Sequence, residues 1–124
     1  MPPVRGLRIL VVDDYGDVGA MLSELLRGKG HDTRVANDGP TALQIAQRFK
    51  PDVAFLDIGL PVMNGYELAR RLKALPGLAA LRLIAITGHG QPADRQKAEA
   101  AGFSNHLVKP IDFDLLEKLL SEGE

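Results

Sequence analysis

The chain's 124 residues suit one domain with one core, and its 45% hydrophobic and 25% charged content is ordinary for a globular protein. Lysine and arginine number 15 against 16 acids, a formal charge of -1, so nothing draws the chain generally toward nucleic acid or anionic lipid. Cysteine is absent, which excludes disulfides, thiol catalysis and cysteine-bound zinc and fits a reducing cytoplasm; no apolar run exceeds four residues, so no membrane span or signal-peptide core is expected.

"MPPVRG", residues 1–6, reads as a short disordered lead-in, and one domain is expected over residues 7–122. "LRILVVD" (Leu7 to Asp13) is a β-branched run suited to a strand buried on both faces. Val18, Met21, Leu22, Leu25 and Leu26 then recur at helical spacing, and "GKGH" ends that helix with a glycine able to adopt the left-handed cap. "TRVA" (Thr33 to Ala36) is a second strand. "NDGPTALQIAQRF" opens a second helix with Pro40 near its first position and Ala42, Ile45, Ala46 and Phe49 inward.

"DVAFLD" (Asp52 to Asp57) is the third strand. Asn64 caps the third helix, with Glu67 completing a capping-box spacing and Leu68, Ala69, Leu72 and Leu75 facing the core. "LRLIAIT" (Leu81 to Thr87) is the fourth strand. In "PADRQKAEAAG" the apolar face is only alanines, Ala93, Ala98 and Ala101, so this fourth helix buries little and is the most weakly held. "HLV" (His106 to Val108) is the fifth strand, and Asp112 caps a last helix bearing Leu115, Leu116, Leu119 and Leu120.

Strict alternation of strand and helix predicts an α/β fold, a flavodoxin-like (βα)5 doubly wound parallel sheet of order 2-1-3-4-5, with helices on both faces. Its switch point lies between the C-terminal ends of strands 1 and 3, where ligands bind. Asp13 and Asp14 close the first strand, Asp57 the third, Thr87 the fourth and Lys109 the fifth, all on one sheet edge. Three carboxylates gathered there repel, and hard oxygen donors with vacant positions suit Mg²⁺. A carboxylate beside that ion can attack phosphorus, with the Lys109 ammonium and the Thr87 hydroxyl answering the phosphoryl oxygens.

With "ILVVDD", "VAFLDIGLPVMNGYEL", "LIAITGHG" and "AGFSNHLVKP" in register, nearly the whole chain resembles the receiver domains of bacterial two-component response regulators, chemotaxis-regulator-like in type. The phrases "DIGLPVMNGYELARRL" and "GFSNHLVKPID" look most like receivers of hybrid histidine kinases. The resemblance implies that Asp57 accepts a phosphoryl group from the phosphohistidine of a histidine kinase or histidine phosphotransfer domain. It implies that Asp14, Asp57 and the Gly59 carbonyl bind Mg²⁺ directly and that Asp13 acts through water. Lys109 would pair with the phosphoryl oxygens and precede a cis bond to Pro110. Thr87 would move toward the phosphoryl group, drawing the fourth helix and fifth strand, which with the fifth helix meet a downstream protein. The first helix, with Gly16 and Gly19 leaving room near the acids, would dock the phosphodonor; a homodimer is left open.

Three positions depart from the family's pattern: His106 stands where the switch aromatic is usual, Gly59 sits two past the phosphoacceptor, and His89 two past Thr87. The last two flank the route of attacking water. Competing readings are plainer. Asp13 and Asp14 can merely favour a helix dipole, Lys109 can be a solvated surface lysine, and Thr87 an ordinary strand residue. His106 reads as partly buried packing rather than a metal ligand, His31 as solvent-exposed and Tyr66 as surface packing. "GHGQPA" (Gly88 to Ala93) mimics a dinucleotide fingerprint but follows the wrong strand and lacks the downstream acid. Two other functions compete: a Mg²⁺-dependent aspartyl-phosphate phosphatase, which needs a second acid where Gly59 stands, and an unphosphorylated binding module of the same fold.

Overall fold

Apolar runs pair side by side in the computed structural model, which describes residues 6–13, 17–60, 63–87, 95–108 and 111–122. Asp14, Gly16, Gly88, His89, Ala93, Lys109 and Pro110, and the side chain of Val18, lie outside the described residues. The described strands are β1 (Arg8–Val12), β2 (Asp32–Ala36), β3 (Val53–Asp57), β4 (Arg82–Thr87) and β5 (Phe103–Val108). They form one parallel sheet in the order β2-β1-β3-β4-β5. Between them run α1 (Asp17–Gly28), α2 (Gly39–Phe49), α3 (Gly65–Ala74), α4 (Arg95–Ala101) and α5 (Phe113–Glu122). This is the expected flavodoxin-like winding.

Alternating strand residues serve two cores. Leu10, Val12, Ala54, Leu56, Leu83 and Ala85 face α2, α3 and α4. Ile9, Val11, Val53, Phe55, Ile84 and Ile86 face α1 and α5. All five residues of β3 are buried, as a central strand covered on both faces must be. The α4 helix contributes Ala101, buried, and Ala98, half-buried, so it gains far less from burial than the leucine-faced helices.

Helix ends follow the polar cues. Asn64 Oδ1 accepts from the Glu67 N–H at 3.0 Å, and Asp112 Oδ1 accepts from Asp114 N at 3.0 Å and Leu115 N at 3.3 Å. Asp38 caps α2, its Oδ1 accepting from Thr41 N at 2.8 Å. The Thr41 backbone N–H, and secondarily the Thr41 side chain, hold the Asp38 carboxyl below its ordinary value of 3.8, against a smaller opposing effect of burial. Because the folded value is the lower one, this cap supports the fold above the unfolded value and is lost as pH falls through the folded value. A carboxyl-carbon NMR titration is expected to place the Asp38 midpoint below 3.8. A midpoint at the ordinary value would mean that the cap does not persist in solution.

Far from the caps, Arg82 at the start of β4 donates to the carbonyls of Leu119 and Leu120 (3.4 Å to the latter) in the last turns of α5. Lys29, just past α1, pairs with Glu117 of α5. The last turns of α5 are therefore fastened to β4, and its middle to the α1 end.

Several local expectations are corrected. The fifth strand begins at Phe103 rather than His106. Gly102, at φ 104°, ends α4, and the chain enters the sheet at once. Leu83 pairs with Phe103 but Ile84 with Asn105, so Ser104 is the extra residue of a bulge and donates its hydroxyl to Leu83 O at 3.3 Å. The bulge interrupts the alternation, so the strand pattern is regular only from His106 onward.

His31 is buried, not exposed: its Nδ1 accepts from Leu7 N at 3.0 Å and so closes the start of β1. His106 is exposed, not packed, since the edge strand β5 turns it outward. On α1 the buried stripe runs through Gly19, Leu22, Ser23 and Leu26, leaving Met21 46% exposed. Gly19, without a side chain, lets the helix approach Val35 on this buried stripe. Leu115, at 42% exposure, likewise flanks rather than joins the buried face of α5.

Candidate functional site

Sheet register carries the polar residues to a common edge. Val12 pairs with both Ala36 and Leu56, so Asp13 and Asp57 follow adjacent strand positions. Asp57 in turn lies opposite Ile86, and Thr87 opposite Val108, the residue before Lys109. Asp13, Asp57 and Thr87 are buried to 1%, 6% and 2% exposure, unusual for carboxylates.

Each carboxylate is oriented by backbone. Asp13 donates its N–H to Ala36 O at 3.0 Å, and its Oδ2 accepts from Gly19 N at 3.1 Å in the first turn of α1. That N–H belongs to the positive end of the helix dipole, which favours an anion there. A Cβ on Gly19 would lie 3.5 Å from the Asp13 Cβ and 3.2 Å from Val35, so the glycine permits the approach. Asp57 Oδ1 accepts from Gly59 N at 2.9 Å, while Ile58 N bonds Ile86 O at 3.1 Å and fixes the turn after β3. The Thr87 hydroxyl donates to Leu107 O at 3.5 Å, a long bond and therefore a weak one.

Gly65, which the sequence reading passes over, proves central to this turn. Its N–H bonds Ile58 O at 3.1 Å. A Cβ there would lie 2.7 Å from Ile58 Cα and 2.9 Å from Asp57 O, both backbone atoms. Only a residue without Cβ lets the N-terminus of α3 press against the segment carrying Asp57. The signal available was a glycine directly after the Asn64 cap, where most residues are tolerated.

Of the residues named from the sequence, Asp13, Asp57 and Thr87 lie buried along one sheet edge; Asp14 and Lys109 lie outside the described residues. Gly59 is placed beside Asp57, and His106, opposite Ala85, lines a shallow cleft of about 350 Å³ with Leu115 and Phe103. Among the described residues no group of three or more metal-ligating side chains gathers. The donor set nevertheless fits a hard cation: two buried carboxylates end neighbouring strands, and a third acid, Asp14, follows the first in sequence. Tyr66 packs edge-on against Phe103, with ring centroids 6.3 Å apart.

A family model described as response regulator receiver domain matches residues 9–121. The chain is 38% identical over 105 residues to response regulator PleD of Caulobacter vibrioides, covering 85% of this chain but only 23% of that protein. Chemotaxis protein CheY4 of Vibrio cholerae superposes with a TM-score of 0.89 at 29% identity, covering 97% of this chain and 100% of that one. The receiver domain of sensor histidine kinase PA1611 from Pseudomonas aeruginosa, solved with a magnesium ion in its active-site cleft, superposes with a TM-score of 0.83 at 29% identity. It covers 95% of this chain and 97% of that one. With strand order, strand-end acids and family match in agreement, the chain belongs to the response regulator receiver domains of two-component signalling.

Proposed function

We propose that this receiver takes a phosphoryl group onto Asp57 from the phosphohistidine of a histidine kinase or histidine phosphotransfer domain, and then changes its affinity for a downstream protein. The observation carrying this reading is a buried carboxylate, Asp57, held at the end of β3 beside buried Asp13. A solvated or merely capping acid has no need of that position. In the transfer an Asp57 oxygen forms the P–O bond as the P–N bond breaks, and the electron pair stays on the imidazole. Mg²⁺, when held by Asp14, Asp57 and the Gly59 carbonyl, with Asp13 reaching it through water, would supply countercharge to the transferring oxygens.

The chain's own residues do the rest. Lys109 pairs its ammonium with a phosphoryl oxygen, and Thr87 exchanges its weak bond to Leu107 O for another. Phosphorylation adds roughly one negative charge at a site already acidic. The α4 helix, with its small alanine face, yields most readily, so α4, β5 and α5 form the output face, with His106 at the switch position. Action in the cytoplasm, without direct contact to nucleic acid or membrane, completes the reading.

Intact mass after incubation with acetyl phosphate and Mg²⁺ tests it, with the modified peptide mapped. A single phosphoryl gain on Asp57 is expected. No gain, or a gain elsewhere, refutes the assignment. Steady turnover of a generic phosphomonoester would instead favour a phosphatase, although Gly59 leaves no second acid beside the nucleophile. The role of Asp13 has its own test. Asp13→Asn keeps an acceptor for Gly19 N–H but loses the charge, so Mg²⁺ affinity read by NMR titration is expected to drop about 10–100-fold. An unchanged affinity removes Asp13 from the metal's surroundings.

A further inference from the structure

A second polar constellation lies away from the acids, where β1 and β2 begin. An open cleft of about 740 Å³ runs between β2 and the C-terminal half of α2. Its lining carries Arg8, Arg34 and Arg48 against Asp32, a formal charge of +2, on a chain whose net charge is -1. Asp52 is the other acid at hand, and its Oδ2 accepts from the Arg8 backbone N–H at 2.9 Å rather than from the guanidinium.

Two of the arginines are held in place. The Arg34 guanidinium lies 4.8 Å above the Phe49 ring centre and bonds Asp32 Oδ1 at 2.6 Å. Arg8 Nη1 donates to Phe49 O at 3.2 Å, at the carbonyl end of α2. Each guanidinium has five N–H donors. The bonds described for Arg8 and Arg34 use one apiece, and Arg48 meets no carboxylate among the described residues. The cleft therefore gathers undercommitted forks suited to carboxylates, two of them held in place. Gln44 and Gln47 add exposed amides along the same wall.

We propose that this cleft docks an acidic segment of a partner protein. Charge complementarity names the chemistry, and the openness of the site names the form. Every charged and amide group in the lining is exposed, whereas a small-molecule site encloses most of its ligand. An extended, glutamate-rich chain can lie along such a surface and satisfy successive arginines. This docking is independent of the chemistry at Asp57.

The test is a backbone amide NMR titration of the intact chain with a short glutamate-rich peptide, beside a lysine-rich control. Shifts are expected to cluster at Arg8, Arg34, Gln44, Gln47 and Arg48 for the acidic peptide only. Affinity is expected to fall about tenfold or more from low to physiological salt. Arg8→Glu combined with Arg48→Glu should abolish binding while leaving acetyl phosphate labelling of Asp57 unchanged. Because Arg8 also bonds Phe49 O, Arg48→Glu alone provides a variant with no described contact to lose, and it should weaken binding at least several-fold. Undiminished binding by these variants, shifts centred elsewhere, or no binding at low salt would overturn the proposal. So would inorganic phosphate or a nucleotide perturbing these residues where the peptide does not.

Discussion

Asp57→Asn is expected to gain no phosphoryl group from acetyl phosphate and Mg²⁺, a rate loss of at least about a thousandfold, as removal of a nucleophile causes elsewhere. The substitution is nearly isosteric, and its amide oxygen can still accept from Gly59 N. What goes is the anionic oxygen that attacks phosphorus. The fold should hold, because the side chain keeps its size and its acceptor for Gly59 N. Urea midpoints measured beside the labelling rates therefore separate lost chemistry from lost fold. A labelled Asn variant would move the phosphoacceptor to another residue.

Gly65→Ala should damage both the fold and the reaction, although Gly65 takes no part in the chemistry. The added methyl would sit 2.7 Å from Ile58 Cα and 2.9 Å from Asp57 O, and backbone cannot swing aside as a flexible side chain can. Overpacking of this kind costs about 1–3 kcal/mol, readable as a lower urea midpoint. The same displacement shifts the turn bearing Asp57, and a misplacement near 1 Å slows a positioned reaction by about a hundredfold. Both effects should appear together. An alanine variant as stable and as quickly labelled as the parent would show that α3 can withdraw without disturbing the site.

How much of this was legible in the sequence depends on what each residue answers to. Local chemistry was readable: Asn64 and Asp112 cap where the pattern places them, and Pro40 stands in the first turn of α2. The strand-end acids were readable because a carboxylate closing an apolar run is a local anomaly, and parallel pairing carries Asp13, Asp57 and Thr87 to one edge. Gly65 was not readable as a spacer, since its reason is a backbone more than five residues back that only the fold brings near. His31 was misplaced because a histidine after glycines looks solvated until Leu7 N arrives to use its ring. His106 and Leu115 depend on which edge of the sheet and which flank of a helix are left uncovered, a tertiary outcome that periodicity cannot supply.

The fastening of α5 has a mechanical meaning. Its last turns are bolted to β4 by Arg82, and Glu117 is tethered to Lys29, whereas the end beginning at Phe113 carries no such bolt among the described contacts. A rod clamped at one end does not slide; it tilts, and displacement grows with distance from the clamp. Measured from Glu117, the free arm back to Phe113 is four residues, about 6 Å. A push arriving where α5 follows β5 therefore moves Phe113 and Leu115, the exposed apolar side chains on the free arm, more than it moves the clamped turns.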